Sequence, residues 1–227
     1  MATKTNLILA GLLAGACFSA YASPVAYIAG DNGVSSLSQM VNSSAEAAAF
    51  DAVAGIGVGY DFESATLPSN LTIGGGSGRT NNSGCGALCG FNTTPGGAYF
   101  ELVVGGSVTF SFITAVDAFG FYVNGLQTDL VPQQTIVYVD GSSVTQTIDF
   151  PSATGGGGAF VGFIDYGQQI SSVTFNATND ILGFDDLRFG NSVKDPGNPG
   201  TPSVPEPASL ALLGLGLAGL ASARRRR

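Results

Sequence analysis

Residues 98–124 read AYFELVVGGSVTFSFITAVDAFGFYVN, and their alternation decides the fold class. In Val108-Thr109-Phe110-Ser111-Phe112 every second side chain is apolar, the period of two that a half-buried strand requires. Gly105-Gly106 separates two such runs and predicts a hairpin turn. The same pattern recurs at Val173-Thr174-Phe175-Asn176, and Asp140-Gly141 predicts a second hairpin between TIVYV and VTQTI. Worked outward, the chain reads as strands near 58–63, 71–73, 98–104, 107–114, 118–124, 135–139, 144–150, 159–165, 171–176 and 182–189. No helical pattern of 10–15 residues separates them, which excludes a parallel α/β sheet. The expected fold is mainly β, an antiparallel β-sandwich of jelly-roll type.

One helix is expected. Ser43-Ser44-Ala45-Glu46 has the spacing of a capping box, in which a hydroxyl and a carboxyl each cover a free N–H, and it predicts a helix over 44–53. Residues 24–42 carry few signals and read as an extended lead-in, while Gly74–Gly97 reads as loop. That loop holds Cys85 and Cys89, the two cysteines outside the first 22 residues. In an oxidising compartment this pair predicts a small disulfide loop, and a zinc site is excluded because the chain has no histidine.

The ends carry targeting signals. Met1–Ala22 combines Lys4, an apolar core from Leu7 to Ala16 and Ala20-Tyr21-Ala22 as a cleavage site, so it reads as a secretory signal peptide. Cys17 offers a competing lipoprotein-type reading, disfavoured by Ala14 three positions earlier. The sandwich is expected over 23–190 and a Pro/Gly-rich linker over 191–204. Residues 205–227 comprise Pro205-Glu206-Pro207, an apolar run over 208–223 and Arg224, Arg225, Arg226 and Arg227. The run is near the lower length limit for a transmembrane helix, and the arginines are expected to stay cytoplasmic.

Composition narrows the function. With the terminal segments set aside, Arg79, Arg188 and Lys194 face fifteen acids, a net charge of −12. Such a body repels nucleic acid and anionic lipid and attracts divalent cations. The absence of histidine excludes Ser-His-Asp and Cys-His catalysis, and no glycine run continues as a phosphate-binding loop. A carboxylate-dependent glycoside hydrolase is compatible with the residue types alone, but there is no tryptophan to stack on a sugar. Ten aromatic residues, Phe110 and Phe121 among them, read as core, whereas Tyr99, Tyr122, Tyr138 and Tyr166 would serve as sugar platforms if exposed.

The tail resembles the PEP-CTERM sorting signal of Gram-negative bacteria, carried by Pro205, Glu206, Pro207, the apolar run and the terminal arginines. The resemblance implies an inner-membrane precursor, processing by an exosortase, and delivery to the cell surface or extracellular matrix. It also implies association with exopolysaccharide and biofilm, a lectin-like module being the alternative. Tails of this kind are also grouped as an ice-binding protein C-terminal domain. An ice face needs a regular threonine array, and no T-x-T repeat runs along this chain.

The body resembles the sandwiches of other PEP-CTERM proteins and, more remotely, MAM domains and family-4-type carbohydrate-binding modules. The likeness rests on Asp61-Phe62-Glu63, FGFYV at 119–123, FVGF at 160–163 and DDLRF at 185–189. It implies a structural calcium ion held by Glu63 and Asp185, with Asp61 and Asp186 behind them. Calcium takes six to eight oxygen ligands, and strand alternation lets only one of the two aspartates ligate. The other reading pairs Arg188 with one aspartate and leaves the remaining acids solvated at strand ends.

Overall fold

A computed structural model describes residues 24–81, 97–102, 106–126, 133–148, 156–166, 168–176 and 181–193. The expected signal peptide, Cys85 and Cys89, most of the linker and the whole sorting tail lie outside the described residues. The described residues fall within one unit, Ala22–Ser203.

The body is a sandwich of two antiparallel sheets with one helix laid on its outside. In chain order the elements are β1 (Val25–Asn32), a 3-10 turn (Leu37–Gln39), α1 (Val41–Ala54), β2 (Leu71–Gly75), β3 (Gly78–Thr80), β4 (Tyr99–Leu102) and β5 (Ser107–Val116). They continue as β6 (Ala118–Asn124), β7 (Gln133–Tyr138), β8 (Ser143–Thr147), β9 (Gly157–Ile164), β10 (Ile170–Asn176) and β11 (Leu182–Gly190). One sheet runs β1-β9-β6-β11-β4-β3 and the other β2-β5-β10-β7-β8.

Alternation builds the core. From β5, Val108, Phe110 and Phe112 point inward while Thr109 and Ser111 point out. Phe110 meets Phe119, Phe121 and Phe184 of the opposite sheet at ring separations of 5.6, 6.1 and 6.0 Å, and Phe175 lies edge-on to Phe184 at 5.0 Å. Such contacts add about 0.5–1.5 kcal/mol each beyond the area they bury.

The two central strands β6 and β9 are buried along their whole length, because α1 covers their second face. Phe50 packs there against Phe160, with Met40, Ala47 and Ala54 alongside. Gly120 and Gly162 stand opposite each other in the pairing of β6 with β9. A Cβ on Gly162 would come within 3.0 Å of Phe50 and 2.8 Å of Phe160, so the glycines inside FGFYV and FVGF make room for the helix.

Several expectations are corrected. The extended lead-in is instead edge strand β1, paired with β9 over its whole length. The segment near 58–63 is not a strand: its backbone pairs with the sheet through an isolated bridge from Tyr60 to Leu187, and Phe62 sits at φ 59°. Gly105-Gly106 does not close a hairpin, since β4 and β5 belong to different sheets. The hairpin at Asp140-Gly141 is present, with β7 paired to β8 and Gly141 at φ 85°. Part of the expected loop 74–97 is sheet, as the end of β2 and as β3.

The helix starts at Val41, ahead of the expected capping box. Ser43 lies within the first turn, and a carboxylate from another element caps it. Asp31 at the end of β1 accepts from Asn42 N (3.0 Å), Asn42 Nδ2 (2.8 Å), Ser43 N (2.8 Å) and Ser43 Oγ (2.6 Å). Burial raises the pKa of this carboxyl, but the four hydrogen bonds outweigh burial and hold it below its ordinary value. Gly55 ends the helix in the left-handed conformation, its N–H bonded to Asp51 O at 2.8 Å.

Candidate functional site

The isolated Tyr60–Leu187 bridge is antiparallel, so Asp61–Glu63 leads away from it on one side and Asp185 and Asp186 lead into it on the other. The carboxylates of this region accept backbone N–H groups. Asp61 Oδ1 accepts from Glu63 N at 3.0 Å, a local turn bond. Glu63 Oε1 accepts from Ala98 N at 3.0 Å and so ties the segment to the start of β4. Asp185 Oδ1 accepts from Asp186 N at 2.9 Å. Arg79 of β3 holds the segment from the side, donating through Nε to Phe62 O and through Nη2 to Glu63 O at 2.7 Å.

Both aspartates are buried, Asp185 fully and Asp186 at 4% exposure, so neither is a solvated strand-end charge. The alternation argument fails here because β11 carries a bulge. Three steps from Asp185 to Arg188 face two steps from Tyr122 to Gly120 on β6, and Asp186 takes up the extra residue at φ 49°. The bulge keeps Phe184, Leu187 and Phe189 on the core side despite their uneven spacing. Among the described residues no group of three or more His, Cys, Asp or Glu side chains is arranged to hold a metal ion.

The other sequence reading also needs correction. Arg188 pairs with a residue that sequence reasoning had not singled out, Asp51 of α1, with Nε 2.8 Å from Oδ1. Its Nη1 donates to Asp186 O at 2.8 Å, and the guanidinium lies 5.3 Å from the ring centres of both Tyr122 and Phe160. This cation is a structural rivet between helix and sheet. Nothing in sequence spacing links residues 51 and 188, since only the packing of α1 on the six-stranded sheet brings them together.

Three of the four expected tyrosine platforms lie in the core, and the fourth, Tyr166, is half-buried against the cluster under α1. Tyr99, Tyr122 and Tyr138 are core residues, and Tyr138 donates to Asp165 Oδ2 at 2.8 Å. Burial, followed by the neighbouring Asp165, raises the pKa of that phenol. At the same end of the sandwich Asp117 accepts from Ser192 N (2.6 Å) and Ser192 Oγ (2.9 Å), while Val193 N donates to Ala54 O at 2.9 Å. These bonds fasten the chain where it leaves β11 for the linker. Burial raises the pKa of Asp117, and the Ser192 bonds partly offset that rise.

Residues 203–227 match the PEP-CTERM protein-sorting motif, so the chain carries that motif at its C-terminal end. It marks an exported protein sorted to the cell surface. Comparison with curated proteins gives no match. Among solved structures, a mutant of CBM29-2, a family 29 carbohydrate-binding module, is 12% identical over 57% of this chain and 82% of its own, with a TM-score of 0.33. TmCBM61 in complex with β-1,4-galactotriose is 10% identical over 53% and 88%, with a TM-score of 0.35. The enzymatically active domain of tailspike protein 4 of bacteriophage CBA120 is 17% identical over 54% and 19%, with a TM-score of 0.30. Likenesses this distant carry no weight for the chemistry of the chain. Among the described residues no helix is long and apolar enough to cross a membrane.

Proposed function

We propose that this chain is an exported, exosortase-processed surface protein whose sandwich works by binding within the extracellular polysaccharide matrix and not by catalysis. The observation that carries the reading is the sorting motif over 203–227, with Pro205-Glu206-Pro207 ahead of the apolar run and the four terminal arginines. A proline restricts its own φ and favours extended backbone in the residue before it, the conformation in which peptidase subsites take a chain. The arginines would hold the precursor at a fixed depth in the inner membrane until it is cut.

Support for a non-catalytic body comes from how its carboxylates are used. Asp31 caps a helix, Asp51 neutralises Arg188, Asp117 fastens the linker base and Glu63 holds Ala98 N–H. A paired-carboxylate hydrolase needs two acids aimed at one bond in a cleft, and these acids are committed to separate structural tasks. The test is substitution in the motif. Glu206→Ala or Pro207→Ala should leave an unprocessed, membrane-bound precursor in the exporting cell. A variant trimmed and released like the parent would refute the exosortase reading.

A further inference from the structure

The two sheets differ in charge. The six-stranded sheet carries Asp31, Arg79, Glu101, Asp185, Asp186 and Arg188. The five strands of the other sheet, LTIGG, SVTFSFITAV, QQTIVY, SVTQT and ISSVTFN, contain no Asp, Glu, Lys or Arg at all. In a body of net charge −12 an uncharged sheet of this size is a distinct surface.

Register turns that sheet into a hydroxyl lattice. Thr109 of β5 stands opposite Thr174 of β10, Thr174 opposite Thr135 of β7, and Thr135 opposite Thr145 of β8. One straight row of four threonines thus crosses the outer face. Its hydroxyls are coupled in pairs, Thr109 Oγ1 to Thr174 Oγ1 at 2.8 Å and Thr135 Oγ1 to Thr145 Oγ1 at 3.1 Å. Ser111 opposite Ser172 begins a parallel row on one side, and Ser107 opposite Asn176 a row on the other. Ile113, next in the outward series of β5, is 73% exposed. With strands ~4.8 Å apart and same-face residues ~6.7 Å apart, three rows across four strands cover ~14 by ~13 Å, room for a few sugar rings.

We propose that this face binds a neutral polysaccharide chain laid across the strands, and so supplies the binding surface for the matrix role argued above, on which it rests. Each coupled hydroxyl keeps lone pairs for a ligand hydroxyl, and the threonine methyls with Ile113 offer aliphatic surface to sugar C–H faces. An acidic polymer is repelled by the net charge and meets no cation here. Ice is disfavoured even though a threonine row exists. The four-threonine row is single, its neighbours are serine, asparagine, glutamine, valine and one threonine, Thr147, and a twisted sheet is not a flat lattice.

The test is affinity electrophoresis of the full chain in detergent, through gels containing dextran, hydroxyethylcellulose or galactomannan, with alginate as the anionic arm. At least one neutral polymer should retard the parent and alginate should not. Thr174→Val combined with Thr135→Val keeps shape and strand preference but removes two hydroxyls, and should weaken retardation about tenfold. Thr174→Glu should abolish it, while Ala49→Glu on the exposed side of α1 should leave it unchanged. If Thr174→Glu fails to fold by circular dichroism, the valine pair decides.

The proposal is overturned by no retardation in any neutral polymer, by retardation that survives the valine pair, or by binding to alginate alone. It is equally overturned by a dimer in light scattering that Thr174→Glu dissolves, since the face would then join two copies of this chain. Mass spectrometry of both termini keeps the two readings apart. A correctly processed protein that ignores polysaccharide sinks only the face, and an unprocessed one that binds sinks only the export reading.

Discussion

Replacing Asp31 by alanine removes four hydrogen bonds from the start of α1 in one step, those from Asn42 N, Asn42 Nδ2, Ser43 N and Ser43 Oγ. A net hydrogen bond to a charged group contributes about 1.5–3 kcal/mol, and loss of a helix cap alone costs about 1 kcal/mol. The four bonds share one carboxylate and do not add, and Ser43 retains its contact to Ala29 O at 3.2 Å. The expected loss is therefore about 3 kcal/mol, measured by urea denaturation followed by circular dichroism. Asp31→Asn keeps one acceptor oxygen without the charge and should lose about half as much, ~1.5 kcal/mol. The pH dependence has a definite sign. Because the folded carboxyl lies below its ordinary value of 3.8, its contribution is complete above that value and is lost as pH falls through the lowered folded value. The gap between parent and Asp31→Asn should thus be constant from neutral pH down to about pH 4 and close below it. An alanine variant that loses under about 0.5 kcal/mol, or a gap that widens in acid, would refute the tertiary cap.

Three more outcomes are expected. Gly162→Ala should destabilise by about 1–3 kcal/mol in thermal or urea unfolding, because the new methyl meets Phe160 at 2.8 Å and Phe50 at 3.0 Å; a neutral effect would mean that α1 sits further from the sheet. Asp51→Ala should lose about 2 kcal/mol, less than the 3–5 of a fully buried pair because Asp51 is one-third exposed; adding Arg188→Met should recover part of that loss, and a double variant worse than the sum would contradict the rivet. If Glu63 and Asp185 hold calcium, a chelator should lower the melting temperature, and Glu63→Ala or Asp185→Ala, but not Asp149→Ala, should eliminate that fall; an unchanged melting curve would leave these carboxylates to the protein N–H groups they accept.

The strands of high contrast were legible from sequence. The period-two runs at 108–112 and 173–176 lie in β5 and β10, Ala118–Asn124 has the bounds expected of it, and the aromatic residues of β5, β6, β9, β10 and β11 are core or packed against it. What failed depended on pairing at a distance. Val25–Asn32 looked featureless because an edge strand under a helix needs little alternation, and its strand character comes from β9. The Asp61–Glu63 segment looked like a strand, yet Arg79 and the Ala98 N–H hold it in an irregular path that its own residues do not encode. The capping box had the right spacing, but Asp31 had a better approach to the helix start. The threonine row was invisible for the same reason. Each strand contributes one threonine to it, and register alone lines them up.

The tail is the reverse case, a signal legible in consecutive residues and independent of folding. Its processing is the most direct measurement of the whole account. Intact mass spectrometry of the protein recovered from the surface or medium of the exporting cell should show a chain beginning at Ser23 and ending close to Pro205-Glu206-Pro207, with the apolar run and Arg224–Arg227 gone. A mass that retains Met1 and Arg227, in protein found only inside the cell, would contradict it.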